Sequence, residues 1–128
     1  MAAAPVTLDV IAFPGAPNLP IFVAQEKGFF TELGVTVNLT TTPNSAFQAE
    51  NLAAGKFQIA GTAFDNVVAY QEGQGAVAIE HPDFFAFMGA TQIELAFVVA
   101  PDVSSYADLK GKSLALDALS TGFAFVLY

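Results

Sequence analysis

From Val6 to Gly75 the chain repeats one pattern three times: a short stretch of strand character, a loop built on Pro, Asn or Gly, and then a helical stretch. Such alternation is the mark of right-handed βαβ units around a largely parallel sheet, so an α/β class is expected. In the first unit Val6, Leu8, Val10 and Ala12 alternate with Thr7, Asp9, Ile11 and Phe13. The second set is only partly polar, which predicts cover on both faces of the strand. Pro14-Gly-Ala-Pro17 follows, with Asn18 as the expected N-cap and Pro20 in the first helical turn. At 100° per residue Leu19, Phe22, Val23, Phe30 and Leu33 share one side, Gln25 and Lys27 point away, and Gly28 is a stop.

The second unit runs from Val35, Val37 and Leu39 into Thr42-Pro43-Asn44, after which Ser45 and Gln48 have capping-box spacing and Gly55 ends the helix. Phe57–Gly61 is the third expected strand. It delivers Thr62-Ala-Phe-Asp-Asn66 to a helix that closes near Gly73-Gln-Gly75. Beyond Gly75 the rhythm changes. Apolar runs at Ala76–Ile79, Phe84–Met88 and Glu94–Ala100 have no amphipathic helix between them. Ser105-Tyr-Ala-Asp108 can start one helical turn, Ser113–Leu116 has the character of a short strand, and Ser120-Thr-Gly122 caps the apolar stretch Phe123–Tyr128. Six residues are fewer than two turns, so the chain is expected to stop inside an element.

Composition narrows the partners. With 54% hydrophobic residues and 13 Phe, a disordered chain is excluded. Twelve acidic residues against four scattered Lys and no Arg give a net charge of −8, which argues against nucleic acid and anionic membrane surfaces. No apolar run reaches the roughly 18 to 20 residues of a membrane span. Met1-Ala-Ala-Ala-Pro5 lacks a basic n-region and a long apolar h-region, so no signal peptide is expected in this chain. The absence of Cys removes disulfides, thiolate zinc sites, iron–sulfur clusters and Cys nucleophiles together.

Several local motifs fail on context. Gly111-Lys112-Ser113 resembles the end of a P-loop, but its first glycine would fall at Tyr106 and a strand is expected where a helix should follow. Gly73-x-Gly75 lacks a third glycine and follows a helix, so it is a helix-ending turn. His81, the only histidine, lies in Glu80-His-Pro-Asp83 without the further ligands a metal wants, and is read as a solvated residue. There is no G-x-S-x-G elbow. Asn38-Leu-Thr40 is a formal glycosylation sequon inside an expected strand.

The more informative set is dispersed: Asn18, Asn44 with Ser45, Asp65 with Asn66, and Ser120 with Thr121, each at an expected helix N-terminus. The first three directly follow the C-terminal ends of strands. In an open α/β sheet those positions line one crevice, where capping side chains and free N–H groups meet a ligand. Phe13, Phe64 and Phe87 would supply apolar walls.

The run Leu19-Pro-Ile-Phe-Val-Ala-Gln-Glu-Lys-Gly-Phe-Phe-Thr-Glu-Leu-Gly-Val-Thr-Val37 resembles the first helix and second strand of the substrate-binding proteins of ABC importers for nitrate, sulfonate, taurine and thiamine-precursor compounds. Ala54-Gly-Lys-Phe-Gln-Ile-Ala60 and Tyr106-Ala-Asp-Leu-Lys-Gly-Lys-Ser-Leu-Ala115 match in the same order, and the resemblance covers nearly the whole chain. It implies a type II periplasmic-binding-protein fold, with residues 1–90 as the first α/β lobe and 91–128 as the crossover and incomplete beginning of the second. The family's ligand loops fall on Phe13 and Asn18, Pro43 and Asn44, Thr62, Phe64, Asp65 and Asn66, and Ser120 and Thr121.

The implied mechanism is capture without chemistry: hinge closure buries a small organic, sulfonate or nitrate-like solute, and a membrane permease recognises the closed form. A periplasmic or extracellular location, no cofactor and no metal follow from the same resemblance. No Lys lies in the ligand loops, so an anion would depend on helix N-termini or on the second lobe, whereas Asp65 would accept hydrogen bonds from an amine. Two other functions compete. Relatives on this fold include thiamine-pyrimidine synthases and a desulfinase, whose cysteine chemistry has no counterpart here. A half-receptor that self-associates through its apolar end, Phe123–Tyr128, is the third.

Overall fold

The computed structural model describes residues 4–92, 96–116 and 119–128. Three parallel strands, β1 (Val6–Ala12), β2 (Val35–Thr41) and β3 (Ile59–Gly61), form a sheet in the order β2-β1-β3. Between them come α1 (Leu19–Glu26) and α2 (Phe29–Glu32), then α3 (Ser45–Ala53); α4 (Phe64–Gln71) follows β3, and α5 (Gly122–Phe125) is a single late turn. This mixed α/β sheet matches the first lobe of a periplasmic-binding-protein-like fold.

Burial along β1 is graded. Val6 and Thr7 are exposed, while Val10, Ile11 and Ala12 are buried, with Ile11 at 0% exposure. The expected cover on both faces therefore exists only at the C-terminal end of the strand. β2 alternates as its sequence does, with Val35, Val37 and Leu39 half-buried and Thr36, Asn38 and Thr40 exposed. Asn38 is paired in register with Asp9 and donates to its carboxylate at 2.9 Å, so the formal sequon is engaged within the sheet. β3 is shorter than expected, yet Gln58 extends its contact with β1: its amide donates to Asp9 O and its side-chain oxygen accepts from Asp9 N, both at 2.9 Å.

Local details depart from expectation in several places, although Gly28 ends the first helix as expected. A 3-10 turn, Ala16–Asn18, precedes α1, and Gly28, at φ 76°, separates α1 from α2. The apolar side expected for this helix is not buried: Leu19, Phe22 and Val23 of α1 and Leu33 just after α2 are exposed, and Gln25, expected to point away, donates to Val37 O of β2 at 2.8 Å. Satisfying an open carbonyl of β2 draws the amide inward. At α3 the cap is Asn44, whose Oδ1 accepts from Phe47 N at 2.8 Å; this moves Gln48 one position beyond a capping box. Asn44→Ala is expected to cost about 1 kcal/mol, read from the urea midpoint.

α4 ends as expected, with Gly73 at φ 68°. The Tyr70 ring, 5% exposed, packs on Gly75, where any β-carbon would collide with it, and meets Phe84 edge-on at 5.9 Å. Burial raises the phenol's pKa; the amides of Val77 and Ala76 oppose this without reaching hydrogen-bond geometry. From residue 76 to 92 the described chain is irregular, and Phe85, Phe87 and Met88 are exposed. Residues 93–95, where the Glu94–Ala100 run begins, lie outside the described residues. Ser113–Leu116 is not a strand, since no neighbouring strand pairs with it. The turn expected at Ser105 is a 3-10 turn, Tyr106–Leu109, closed by a reciprocal box in which the Asp108 carboxylate accepts from Ser105 N and the Ser105 side chain accepts from Asp108 N. The amide of Ser104, with the hydroxyl and amide of Ser105, holds the Asp108 carboxyl below its ordinary range.

Candidate functional site

The strand register decides which loops meet. Ala12 is aligned with Thr41 on one side and Gly61 on the other, so the segments that follow all three strands leave one edge of the sheet together. Most of the buried polar side chains lie on these segments: Asn18, Thr42, Ser45, Gln48 and Asn66, joined by Thr121 from the late part of the chain. A buried polar group without a partner costs about 1 to 3 kcal/mol; here Asn18 and Thr42 are satisfied within their own loops, while Gln48 and Asn66 also reach across to other segments.

Asn18 is not the side-chain cap that its position predicts. Its Nδ2 turns back to Phe13 O at 2.7 Å and closes the loop after β1, leaving Phe13 half-buried. After β2, Thr42 N donates to Ala12 O at 2.9 Å and Thr42 Oγ1 donates to Asn44 O at 2.8 Å. Pro43 and Asn44 themselves are exposed at this rim. After β3, Thr62 is exposed and its Oγ1 accepts from Asn66 Nδ2 at 3.0 Å. α4 has Ala63 as its cap, so Asp65 sits in the first turn and not at the cap; its Oδ1 accepts from Asn66 N at 3.0 Å.

The turn at 120–122 is brought to the same edge. Thr121 is 2% exposed, Ser120 is half-buried, and Gly122 N donates to Asn66 Oδ1 at 3.2 Å. A β-carbon on Gly122 would meet the Asp65 carboxylate, so the backbone of α5 lies directly against the start of α4. Asn66 is thereby held at both ends of its amide, by Thr62 and by Gly122.

Two of the expected aromatic walls are elsewhere. Residues two apart on a helix differ by about 200°, so with Asn66 facing inward Phe64 faces out. It is 67% exposed and lines, with Asp65, Val68, Glu72 and Phe125, an outer groove of about 430 Å³ between α4 and α5. Phe87 is exposed in the irregular segment. Conversely, two residues at this edge were not singled out as ligand contacts by sequence. Thr42 is the first residue past β2. Gln48 donates to Ile11 O at 3.3 Å and Gly61 O at 3.0 Å, tying the ends of β1 and β3 together. The cue for Gln48 was its distance from Asn44, which makes it the fourth residue of the helix and turns it toward the sheet.

Among the described residues, the loops at this edge hold no Lys, and Asp65 is their only carboxylate. Among the described residues no group of three or more His, Asp or Glu is placed to hold a metal ion, and His81 is exposed with φ 52°. No helix among them is long and apolar enough to cross a membrane.

No curated protein and no solved structure matches the chain. A family profile described as NMT1/THI5 like does match, over residues 17–127, a span that takes in α1 to α5 and every edge loop except the start of the first. With that coverage, the chain belongs to the NMT1/THI5-like family.

Proposed function

We propose that this chain captures a small amine-bearing organic solute at the C-terminal edge of its sheet, as the receptor of an ABC importer. The observation that carries this reading is the gathering of buried Asn18, Thr42, Ser45, Asn66 and Thr121 at one edge, with Asp65 as the only charge among the described residues of those loops. A carboxylate at the rim repels nitrate and sulfonates and accepts a hydrogen bond from an amine, an interaction about twice as strong as its neutral counterpart. In this reading residues 1–90 form the first lobe and 91–128 the crossover and start of a second, and Phe13, Asn18, Pro43, Asn44, Thr62, Asp65, Asn66, Ser120 and Thr121 surround the solute. Closure of the lobes would present the loaded form to a permease outside the cytoplasm.

The family also holds thiamine-pyrimidine synthases. Their cysteine-rich motif has no counterpart in a chain without Cys, which favours capture over catalysis. Self-association is a second reading, favoured by exposed Phe85, Phe87, Met88, Val98, Val126 and Tyr128; light scattering across a concentration series separates a monomer from a dimer.

The test is a thermal-shift titration with 4-aminopyrimidine, taurine, nitrate and benzoate. At a hundredfold excess over Kd a true ligand raises Tm by about 10 °C for a chain of this size. We expect 4-aminopyrimidine to give the largest saturable shift and Asp65→Asn to weaken it about tenfold. A shift with nitrate alone would move the site to the anion-binding branch, and no shift with any of the four would count against the receptor.

A further inference from the structure

We infer that the free side of β2 is a pairing edge, and that a second copy of this chain adds its own β2 there, antiparallel, about a two-fold axis. β2 is an outermost strand of the sheet, and among the described residues β1 is the one strand paired with it. Val6 N donates to Gly34 O and Thr42 N to Ala12 O, so the even-numbered backbone groups along this stretch serve β1. In a parallel ladder the alternate residues then turn outward, here Val35, Val37, Leu39 and Thr41. Val37 O agrees with that direction, since it accepts from Gln25 Nε2. Among the described residues no other bond reaches the outward backbone groups of these four.

An open strand edge is ordinarily guarded by a charge, a proline or a bulge. β2 has none of these: it pairs with β1 residue for residue from Val35 to Thr41, and from residue 33 to residue 49 there is no charged side chain. Charge also selects the occupant. At a net charge of −8, two copies repel over most of their surfaces, and β2 is a neutral strip on which they can meet. The strip is its own complement. With the axis at Asn38, Val35 lies opposite Thr41 and Val37 opposite Leu39 of the partner subunit, each pair exchanging both backbone bonds, and Thr36 lies opposite Thr40. Gln25 gives up Val37 O, one bond replacing another. Each Glu32 falls beyond the far end of the opposite β2, so the two stay apart. Phe22, one turn before Gln25 on the same side of α1, and Leu33, just before β2, are exposed and add apolar cover. Seven residues of strand extend about 23 Å, and such a pair buries well under the roughly 1,600 Å² of a standard interface. The dimer is therefore weak and forms on concentration.

Amide exchange on the full chain across a concentration series reads the pairing directly. At low concentration the amides of Val35, Val37, Leu39 and Thr41 are expected to exchange fast while those of Thr36, Asn38 and Thr40 are protected. At high concentration the first set gains protection as sedimentation shows the mass doubling. Charge then tests the register. Thr36→Lys with Thr40→Lys sets like charges opposite each other and is expected to weaken association about fivefold, whereas Thr36→Glu with Thr40→Lys sets opposite charges together and strengthens it about fivefold. Equal effects of the two double variants, each first shown to be folded by its urea midpoint, would overturn the antiparallel pairing. Val126→Asp, in the exposed apolar stretch near the end of the chain, is expected to leave the dimer unchanged. Loss of the dimer in that variant would move the interface away from β2. A monomer at every concentration, the result if the edge serves a different protein, would overturn the pairing, and so would outward amides already protected at dilution. No solute enters any of these measurements, so the receptor reading stands or falls separately.

Discussion

Ile11→Ala is expected to lower stability by about 3 to 4 kcal/mol, the upper part of the range for a buried aliphatic side chain in a tightly packed strand. Ile11 is fully buried in the central strand, flanked by buried Val10 and Ala12 and paired on both sides. Those neighbours belong to hydrogen-bonded ladders and cannot easily collapse into the space left by three missing carbons. For 128 residues the loss corresponds to a fall in Tm of roughly 11 to 15 °C. Urea denaturation gives the direct measure, with a lower midpoint and an unchanged slope. A loss under 1 kcal/mol would mean that the core does not sit at this end of β1.

The second large effect is expected at Gln48. Gln48→Leu keeps the bulk of the side chain and removes both donors, leaving Ile11 O and Gly61 O without the bonds that now tie the strand ends together. The expected cost is about 2 kcal/mol, since a stranded buried acceptor such as Ile11 O costs on the order of 1 to 3 and the part-buried Gly61 O less. Binding should suffer as well: β3 is only three residues long, and the segment 62–66 depends on its end for position. A tenfold or greater loss of affinity for 4-aminopyrimidine is expected at temperatures where the variant remains folded. Gln48→Glu separates hydrogen bonding from packing. The introduced carboxyl can donate only when protonated, so its folded-state pKa is raised. Its contribution is present at pH below the unfolded value of about 4.3 and lost as pH rises through the folded one. The stability difference from wild type should therefore shrink on acidification; a difference that ignores pH would show that Gln48 acts through shape alone.

Much of the sheet was legible because its periodicities are local. Val35, Val37 and Leu39 alternate with Thr36 and Asn38 in sequence and do so in burial. The parallel class followed from alternation, and the loops after all three strands were expected at one edge. The expected side-chain roles were less dependable, because they turn on single positions and distant partners. Asn18 has the right identity for a cap, yet a free carbonyl five residues back competes for its amide. Ser45 and Gln48 have capping-box spacing, yet Asn44 starts the helix one residue earlier and Gln48 is left to face the sheet. Phe64 stands within two residues of Asn66 and faces the other way. The approach of Gly122 to Asn66 joins positions 56 apart, and no local pattern encodes such a pairing.

The position of β1 in the middle of a wholly parallel sheet has a consequence for synthesis. Its partners in β2 and β3 lie 29 and 49 residues downstream, as Asp9 shows by bonding both Asn38 and Gln58. No hairpin can shield β1 in the meantime. At roughly 5 to 20 residues per second, the strand waits about 2 to 10 s with both edges open before its neighbours have been made. Val10, Ile11 and Ala12, the most protected residues of the finished sheet, are for that interval an unpaired apolar strand. Chaperone dependence and aggregation during expression should therefore track substitutions in residues 10–12 more closely than changes at the ligand edge.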